Sequence, residues 1–230
     1  MKLFTIIKNH SERVNSKNFQ LIYENMPLWK WSIDRLRSEK YELHINTDSE
    51  LILEQISEMK NVQGIKRDIQ HIRWEEDVKR TGSPVESMLI DFCTKDSIPL
   101  SEVICLFHVT SPFISLSTIE NAAEYLKKGY DSVQSVKRIQ NFVFLTENDK
   151  VTPVNYDPSF IQRTQDIPPV FMSIGAFFIS TKAKILAEQK RVPGKAFNYE
   201  LDPVSAIEID FPDDLKLARL VTHGMLNSLQ

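Results

Sequence analysis

The chain has only two cysteines, Cys93 and Cys105. Their separation matches no metal-ligand spacing and both sit among apolar neighbours, which argues against a disulfide framework or thiolate metal site and predicts two buried thiols. A long hydrophobic run is also missing. The most apolar stretch, Val170 to Ile179, is interrupted by Ser173 and Gly175 and falls far short of the roughly 20 residues that span a bilayer. It reads as a buried strand. At the N-terminus Leu3 to Ile7 is too short for the apolar core of a secretory signal, and Lys8, Glu12 and Arg13 follow at once. A cytoplasmic protein with no membrane partner is therefore expected. Excess positive charge is absent too: the formal net charge of -3 at pH 7 sets up no global field for a nucleic-acid backbone, so nucleic acid is not an expected partner. There is no internal repeat and no low-complexity tract.

What remains is an ordinary globular composition, 42% hydrophobic and 26% charged over 230 residues, which suits a single domain spanning 1–230. Met1 to Ile7 is short and apolar, a polar loop follows it, and Pro27 to Leu36 has helical character. Tyr41 to Asn46 reads as a strand, and Leu51, Ile52, Ile56 and Met59 fall at helical spacing behind Asp48 as N-cap. Ser83-Pro84-Val85-Glu86 opens another helix. Val103 to Val109 is a continuous apolar strand, and Ser115 to Lys128 a helix closed by Gly129. Strands alternating with helices predict an α/β class with a mostly parallel, three-layer sheet. From Asp131 the pattern shifts to strands at Ser132 to Val136, Asn141 to Leu145 and Val170 to Ser180. Between them lies a segment rich in proline, so residues 131–170 form a candidate appendage. A short strand around Ala206 to Ile209 and an amphipathic helix over Pro212 to Leu229 complete the expectation. In that helix Leu215, Ala218, Leu220, Val221 and Met225 supply the buried side.

Open α/β sheets bind ligands beyond the carboxyl ends of their strands. After the first strand, Lys8 to Asn18 carries three cations (Lys8, Arg13, Lys17) and the small donors Asn9, Ser11, Ser16 and Asn18. Such a loop can present backbone N–H groups and point charges to a polyphosphate, or it can be a solvated surface loop.

Thr5-Ile6-Ile7-Lys8-Asn9-His10-Ser11-Glu12-Arg13-Val14-Asn15-Ser16-Lys17-Asn18 resembles the opening motif of the CMP-sialic acid synthetase (acylneuraminate cytidylyltransferase) family, I-P-A-R-x-G-S-K-R-x-P-x-K-N. Asn46-Thr47-Asp48 is similar to that family's S-T-D, and Thr110-Ser111-Pro112-Phe113 to its Q-P-T-S-P-L. Arg163-Thr164-Gln165-Asp166-Ile167-Pro168-Pro169 resembles its R-x-Q-D-x-P, and Gly175-Ala176-Phe177-Phe178-Ile179 its N-G-A-x-Y-I. Glu208-Ile209-Asp210, followed by Pro212-Asp213-Asp214-Leu215, resembles its D-I-D-T-x-x-D-L. The six blocks occur in family order over nearly the whole chain.

The resemblance implies a nucleotidyltransferase fold with a β-rich dimerisation appendage, and an enzyme that joins CTP to a 2-keto-3-deoxy sugar acid of eight or nine carbons. By position it implies that Lys8, Ser11, Arg13 and Lys17 hold the triphosphate, with Asn18 and Thr110 at the nucleotide. Arg13, Lys17 and Asp210 would be catalytic. Glu208 and Asp210 would hold Mg2+, for which two carboxylates plus phosphate oxygens are suited; without the family match the pair reads rather as the end of a strand and the cap of the last helix. Arg163 and Gln165 would enter a second subunit's sugar site, where an arginine can grip a carboxylate bidentately; a structural salt bridge is the alternative for Arg163. His108 stands where the family has Gln, as a sugar ligand or as a satisfied core histidine. Arg73 is similar in place to a family arginine near the base. Ile6, Lys8, His10, Asn15, Ile174 and Glu208 depart from the pattern, which leaves the loop without glycine and marks a divergent branch. Two other functions stay open at this point: a glycosyltransferase using a nucleotide sugar, and a catalytically silent binding protein.

Overall fold

The computed structural model describes residues 1–8, 17–66 and 84–227. Strand β1 (Lys2–Ile7) leads through a small hairpin, β2 (Leu21–Tyr23) and β3 (Met26–Pro27), into helix α1 (Leu28–Leu36). Then come β4 (Leu43–Thr47), α2 (Glu50–Ser57), β5 (Val62–Lys66), α3 (Pro84–Cys93), β6 (Val103–Phe107) and α4 (Leu116–Ala123). A 3-10 turn over Glu124–Lys128 continues α4 and ends at Gly129, whose φ of 85° is the left-handed stop that the sequence predicts. The rest is β7 (Ser132–Ile139), β8 (Phe144–Glu147), β9 (Lys150–Pro153), β10 (Val170–Thr181), α5 (Lys182–Glu188), β11 (Ala196–Glu200) and α6 (Pro212–Asn227).

Seven strands form one sheet in the order β11-β7-β10-β6-β1-β4-β5. All its neighbours pair in parallel except β10, which runs antiparallel to both β6 and β7. The side-chain period of two along β1 sends Leu3 to one face and Phe4 to the other. Leu3 joins Ile45, Phe107, Trp29, Ile33, Ile56 and Ile119, so α1, α2 and α4 cover that face. Phe4 joins Leu106, Phe178, Leu89, Phe92 and Ile185, which places α3 and α5 on the opposite face. The expected three layers are present, and both thiols are buried within them, their ionisation pushed up by desolvation.

Several local expectations are corrected. Ser49, not Asp48, caps α2, its side chain accepting from Ile52 N. Ala206 to Ile209 forms no strand; Ala206 and Ile209 are buried by a turn that packs them without a ladder. The sheet instead takes β11, whose Phe197 stacks on Tyr125 with ring centroids 3.6 Å apart. Leu220 is 71% exposed, because Leu215, Ala218 and Thr222 turn the buried side of α6 away from it. The outer part of β10 is exposed at Phe171 and Met172, and burial begins at Ile174. Of residues 131–170, Ser132–Ile139 lies in the main sheet, and the β8–β9 hairpin forms a separate two-stranded unit. Asn155 holds the base of that excursion: Nδ2 donates to Asn141 O at 3.0 Å and Pro168 O at 2.9 Å, and Oδ1 accepts from Val143 N at 3.0 Å.

One core group makes stability depend on pH. His44 lies beside the Phe92 ring, 4.9 Å between centroids; its Nε2 is 3.4 Å from Glu42 Oε2, and Nδ1 has no hydrogen-bond partner among the described residues. Burial, aided by the nearby Lys2 charge and opposed by Glu42, pushes its pKa from 6.5 to about 4. The folded state therefore binds fewer protons than the unfolded chain in that interval, so the stabilisation is complete above 6.5 and is lost as pH falls through about 4. Relative to the parent, His44→Leu is expected to gain thermal stability progressively between pH 6.5 and 4. Parallel melting curves across that range would refute the assignment.

Candidate active site

Several strand ends meet where the order of the sheet reverses about β1. Hydroxyl groups hold the last carbonyls of those strands: Thr47 Oγ1 donates to Ile7 O at 2.7 Å, and Thr5 Oγ1 to Phe107 O at 2.8 Å. Helix α1 fixes the segment after β6. Ser32 Oγ donates to Val109 O at 2.7 Å, Trp31 Nε1 to Pro112 O at 3.0 Å, and Arg35 Nη2 to Phe113 O at 3.4 Å. These three anchors gave no signal by motif, although Trp31 and Arg35 are large, partly buried groups beside the apolar stripe of α1.

Against this frame the two ends of the first loop close. Asn18 Nδ2 donates to Lys8 O at 2.8 Å, while the buried Asn18 Oδ1 has no hydrogen-bond partner among the described residues. Lys17 Nζ then reaches across the chain to Asp210 Oδ1 at 3.0 Å and Ile209 O at 3.1 Å. Ile209 N donates to Thr110 O at 2.8 Å, tying the last acidic segment to the turn after β6. Asp210 itself is placed by Asp214, whose Oδ2 accepts from Asp210 N at 3.0 Å and Phe211 N at 2.7 Å. An acid in the first helical turn that reaches back to the N-cap amide is half of a capping box.

The third wall is a bend in β10. Its pairing with β7 slips between Ser173 and Phe178, where Ser135 Oγ accepts from Phe177 N at 3.0 Å in place of the ladder. Gly175 sits in this bend with φ of 74°. A Cβ there would lie 3.4 Å from Glu208 Oε1 and 3.6 Å from His108 Nδ1. Glycine is needed for the left-handed backbone, while a Cβ would meet both groups at ordinary contact distance. Gly175→Ala is expected to cost about 1–2 kcal/mol of unfolding free energy. Denaturant titration would measure it, and an unchanged midpoint would mean that the bend tolerates a side chain. His108 is partly buried. Desolvation first, then the charges of Arg191 and Lys17, push its pKa down to about 4 against the opposing pull of Asp210. At neutral pH it is an uncharged imidazole able to donate one hydrogen bond and accept another.

Lys8, Lys17, Asn18, His108, Thr110, Glu208 and Asp210 are thus linked through one cluster. Ser11, Arg13 and Arg73 lie outside the described residues, as do the departures His10 and Asn15. Arg163 stands apart on the excursion, 74% exposed and paired with Asp166 of its own segment at 2.7 Å; Gln165 is exposed beside it. Ile174, where the family pattern has Asn, is buried apolar packing. Among the described residues no group of three or more His, Cys, Asp and Glu can hold an ion by itself. Two carboxylates beside a cationic loop are, however, a hard-oxygen set of the kind that Mg2+ shares with phosphate. Among the described residues, no helix is long and apolar enough to cross a membrane.

The family model for cytidylyltransferases matches residues 8–225 of the chain. An N-acylneuraminate cytidylyltransferase of Streptococcus agalactiae serotype III (strain NEM316) is 26% identical over 182 residues, which cover 76% of this chain and 41% of the relative. N-acylneuraminate cytidylyltransferase A of Danio rerio is 32% identical over 123 residues, 51% of this chain and 28% of that one. The chain therefore spans less than half the length of these curated relatives. Among solved structures, CMP:2-keto-3-deoxy-manno-octonic acid synthetase complexed with CTP superposes with a TM-score of 0.63 at 11% identity, covering 97% of this chain and 98% of that one, a likeness of fold. With the seven-stranded sheet, the loop closed by Lys17 and Asn18 and a match over residues 8–225, the chain belongs to the cytidylyltransferase family.

Proposed function

We propose that the protein transfers CMP from CTP to an acidic 2-keto-3-deoxy sugar of eight or nine carbons, releasing pyrophosphate. The observation that carries this reading is the Lys17–Asp210 contact at 3.0 Å, which sets the cation after the phosphate loop against the carboxylate that opens the last helix. In the reaction the anomeric hydroxyl oxygen bonds to the α-phosphorus as the bond to the bridging oxygen breaks. Pyrophosphate leaves with that electron pair, and the hydroxyl proton passes to a base or to water. Catalysis of this kind is mainly positioning and charge neutralisation.

Lys8, Ser11, Arg13 and Lys17 hold the triphosphate in this scheme, and Asn18 and Thr110 line the nucleotide. Uncharged His108 hydrogen-bonds the incoming sugar. Glu208 and Asp210 would hold Mg2+, which would supply charge neutralisation at the phosphates. The protein acts as a homodimer in the cytoplasm, where CTP is available. Support for the dimer comes from the excursion, which leaves Phe144, Leu145, Val151, Phe160 and Ile161 each more than half exposed, a surface that a second copy would cover. Arg163 and Gln165 would then reach the second copy's sugar.

Incubation with CTP, Mg2+ and a panel of neuraminate, legionaminate, pseudaminate and Kdo tests the reading through pyrophosphate release. Turnover of one acid is expected. Silence with all four, together with calorimetry showing sugar bound but no CTP, would replace the enzyme with a binding protein.

A further inference from the structure

The geometry points to Arg191 as the specificity-determining group that reads the carboxylate of the acidic sugar, from the same chain that binds the nucleotide. This rests on the proposed activity and names one of its contacts. Arg191 follows α5, which Gln189 closes in the left-handed conformation, so the chain turns back toward the sheet. Glu86 receives it there. Glu86 Oε1 takes the guanidinium Nε at 3.2 Å and the Arg191 backbone N–H at 3.5 Å. Because α3 follows a parallel strand and its crossover, its first turn, which holds Glu86, stands at the carboxyl edge of the sheet, the edge that carries the site.

The guanidinium carbon lies 4.5 Å from the centre of the Phe178 ring. Phe178 in turn meets the His108 ring edge-on at 6.1 Å. Arg191 is thus one aromatic ring from the group that stands beside Glu208 and Gly175, and its charge is felt there. Two features suit it to an anion. It is clamped by a carboxylate and an aromatic face, which removes most of the freedom a binding arginine would lose. And among the described residues its Nη groups have no hydrogen-bond partner while the side chain keeps 30% exposure, so the fork that accepts a carboxylate remains open. Arg163, by contrast, is far more exposed, so less of its freedom is already removed.

The test compares a sugar acid that the unaltered protein turns over with the methyl ester of that acid. The unaltered protein is expected to prefer the acid by roughly 100-fold in kcat/KM. Arg191→Met alone would leave Glu86 as a buried carboxylate without its cation, so the variant read is Glu86→Gln with Arg191→Met, its fold checked by circular dichroism. It is expected to lose the acid-over-ester preference and to raise KM for the acid, with KM for CTP unchanged. Arg191→Lys keeps the charge without the fork and is expected to fall between, which keeps the test decisive should the double variant not fold. A preference that survives in the variants, or a rise in KM for CTP instead, overturns the assignment while leaving the activity standing. If the unaltered protein turns over no sugar acid at all, the activity itself fails and this contact with it.

Discussion

Asp210→Asn is expected to lower the rate of CMP transfer by roughly 10²–10³-fold and to leave the fold intact. Two neighbouring acids divide the labour. Asp214 does the structural work, accepting from the backbone amides of Asp210 and Phe211 and so fixing the start of α6. Asp210 presents its carboxylate to Lys17. Asparagine keeps the size of the side chain and can still accept from Lys17, so the substitution removes charge and little else. The control is Asp214→Ala, which strips a cap and is expected to cost about 1 kcal/mol of stability. Steady-state assays with CTP and thermal melts on both variants check the pattern. A wild-type rate in Asp210→Asn, or a loss of rate that only follows a loss of folding, would remove Asp210 from the machinery.

The layers of the fold were legible because the side-chain period changes cleanly between elements. Leu3 and Phe4 part to opposite faces, Ile52 and Ile56 repeat at helical spacing, and Gly129 stops its helix where a left-handed residue is required. Errors fell where local pattern and tertiary pairing compete. Ala206 to Ile209 has the apolar look of a strand, but Ile209 N is taken by Thr110 O and the residues pack from a turn. Ala196 to Glu200 carries a weaker pattern, and its place beside β7 is set by the Tyr125–Phe197 stack, a contact 72 positions apart in the chain that no window reveals.

The site divides in the same way. Groups that belong to continuous motifs, Lys17-Asn18, Gly175 and Glu208-Ile209-Asp210, could be singled out in the chain because each lies in a block that resembles the family pattern. Groups that only position them could not. Ser32 and Trp31 look like ordinary residues of α1, yet they hold the carbonyls of Val109 and Pro112. Arg191 is one half of a Lys-Arg pair in a turn, and its meaning depends on Glu86, 105 residues away. Long-range partners of single charges leave no periodic trace, so nothing in the chain singles out Arg191, and only the fold brings it to Glu86 and Phe178.

Lys17→Met is the second large effect expected, again roughly 10²–10³-fold in kcat/KM for CTP. Lys17 is bound twice, to Asp210 Oδ1 and to Ile209 O, so in the proposed reaction it would stand beside the phosphates and also neutralise the carboxylate that the ion would use. On the proposed reading the negative charges of CTP would draw Lys17 toward them and turn Asp210 to the ion. Removing the amine therefore has two opposite consequences. Transition-state charge on the departing pyrophosphate loses a partner, and rate falls. Asp210 loses its internal cation, so Mg2+ should bind the CTP-free protein more tightly than it binds the parent. Because the two side chains act as one unit, the double variant with Asp210→Asn should lose close to what the worse single change loses, not the product of both. Calorimetric titration with Mg2+ and the four-member kinetic cycle measure these separately. Strict additivity, or weaker Mg2+ binding in Lys17→Met, would show that Lys17 and Asp210 meet in the free protein for structural reasons alone.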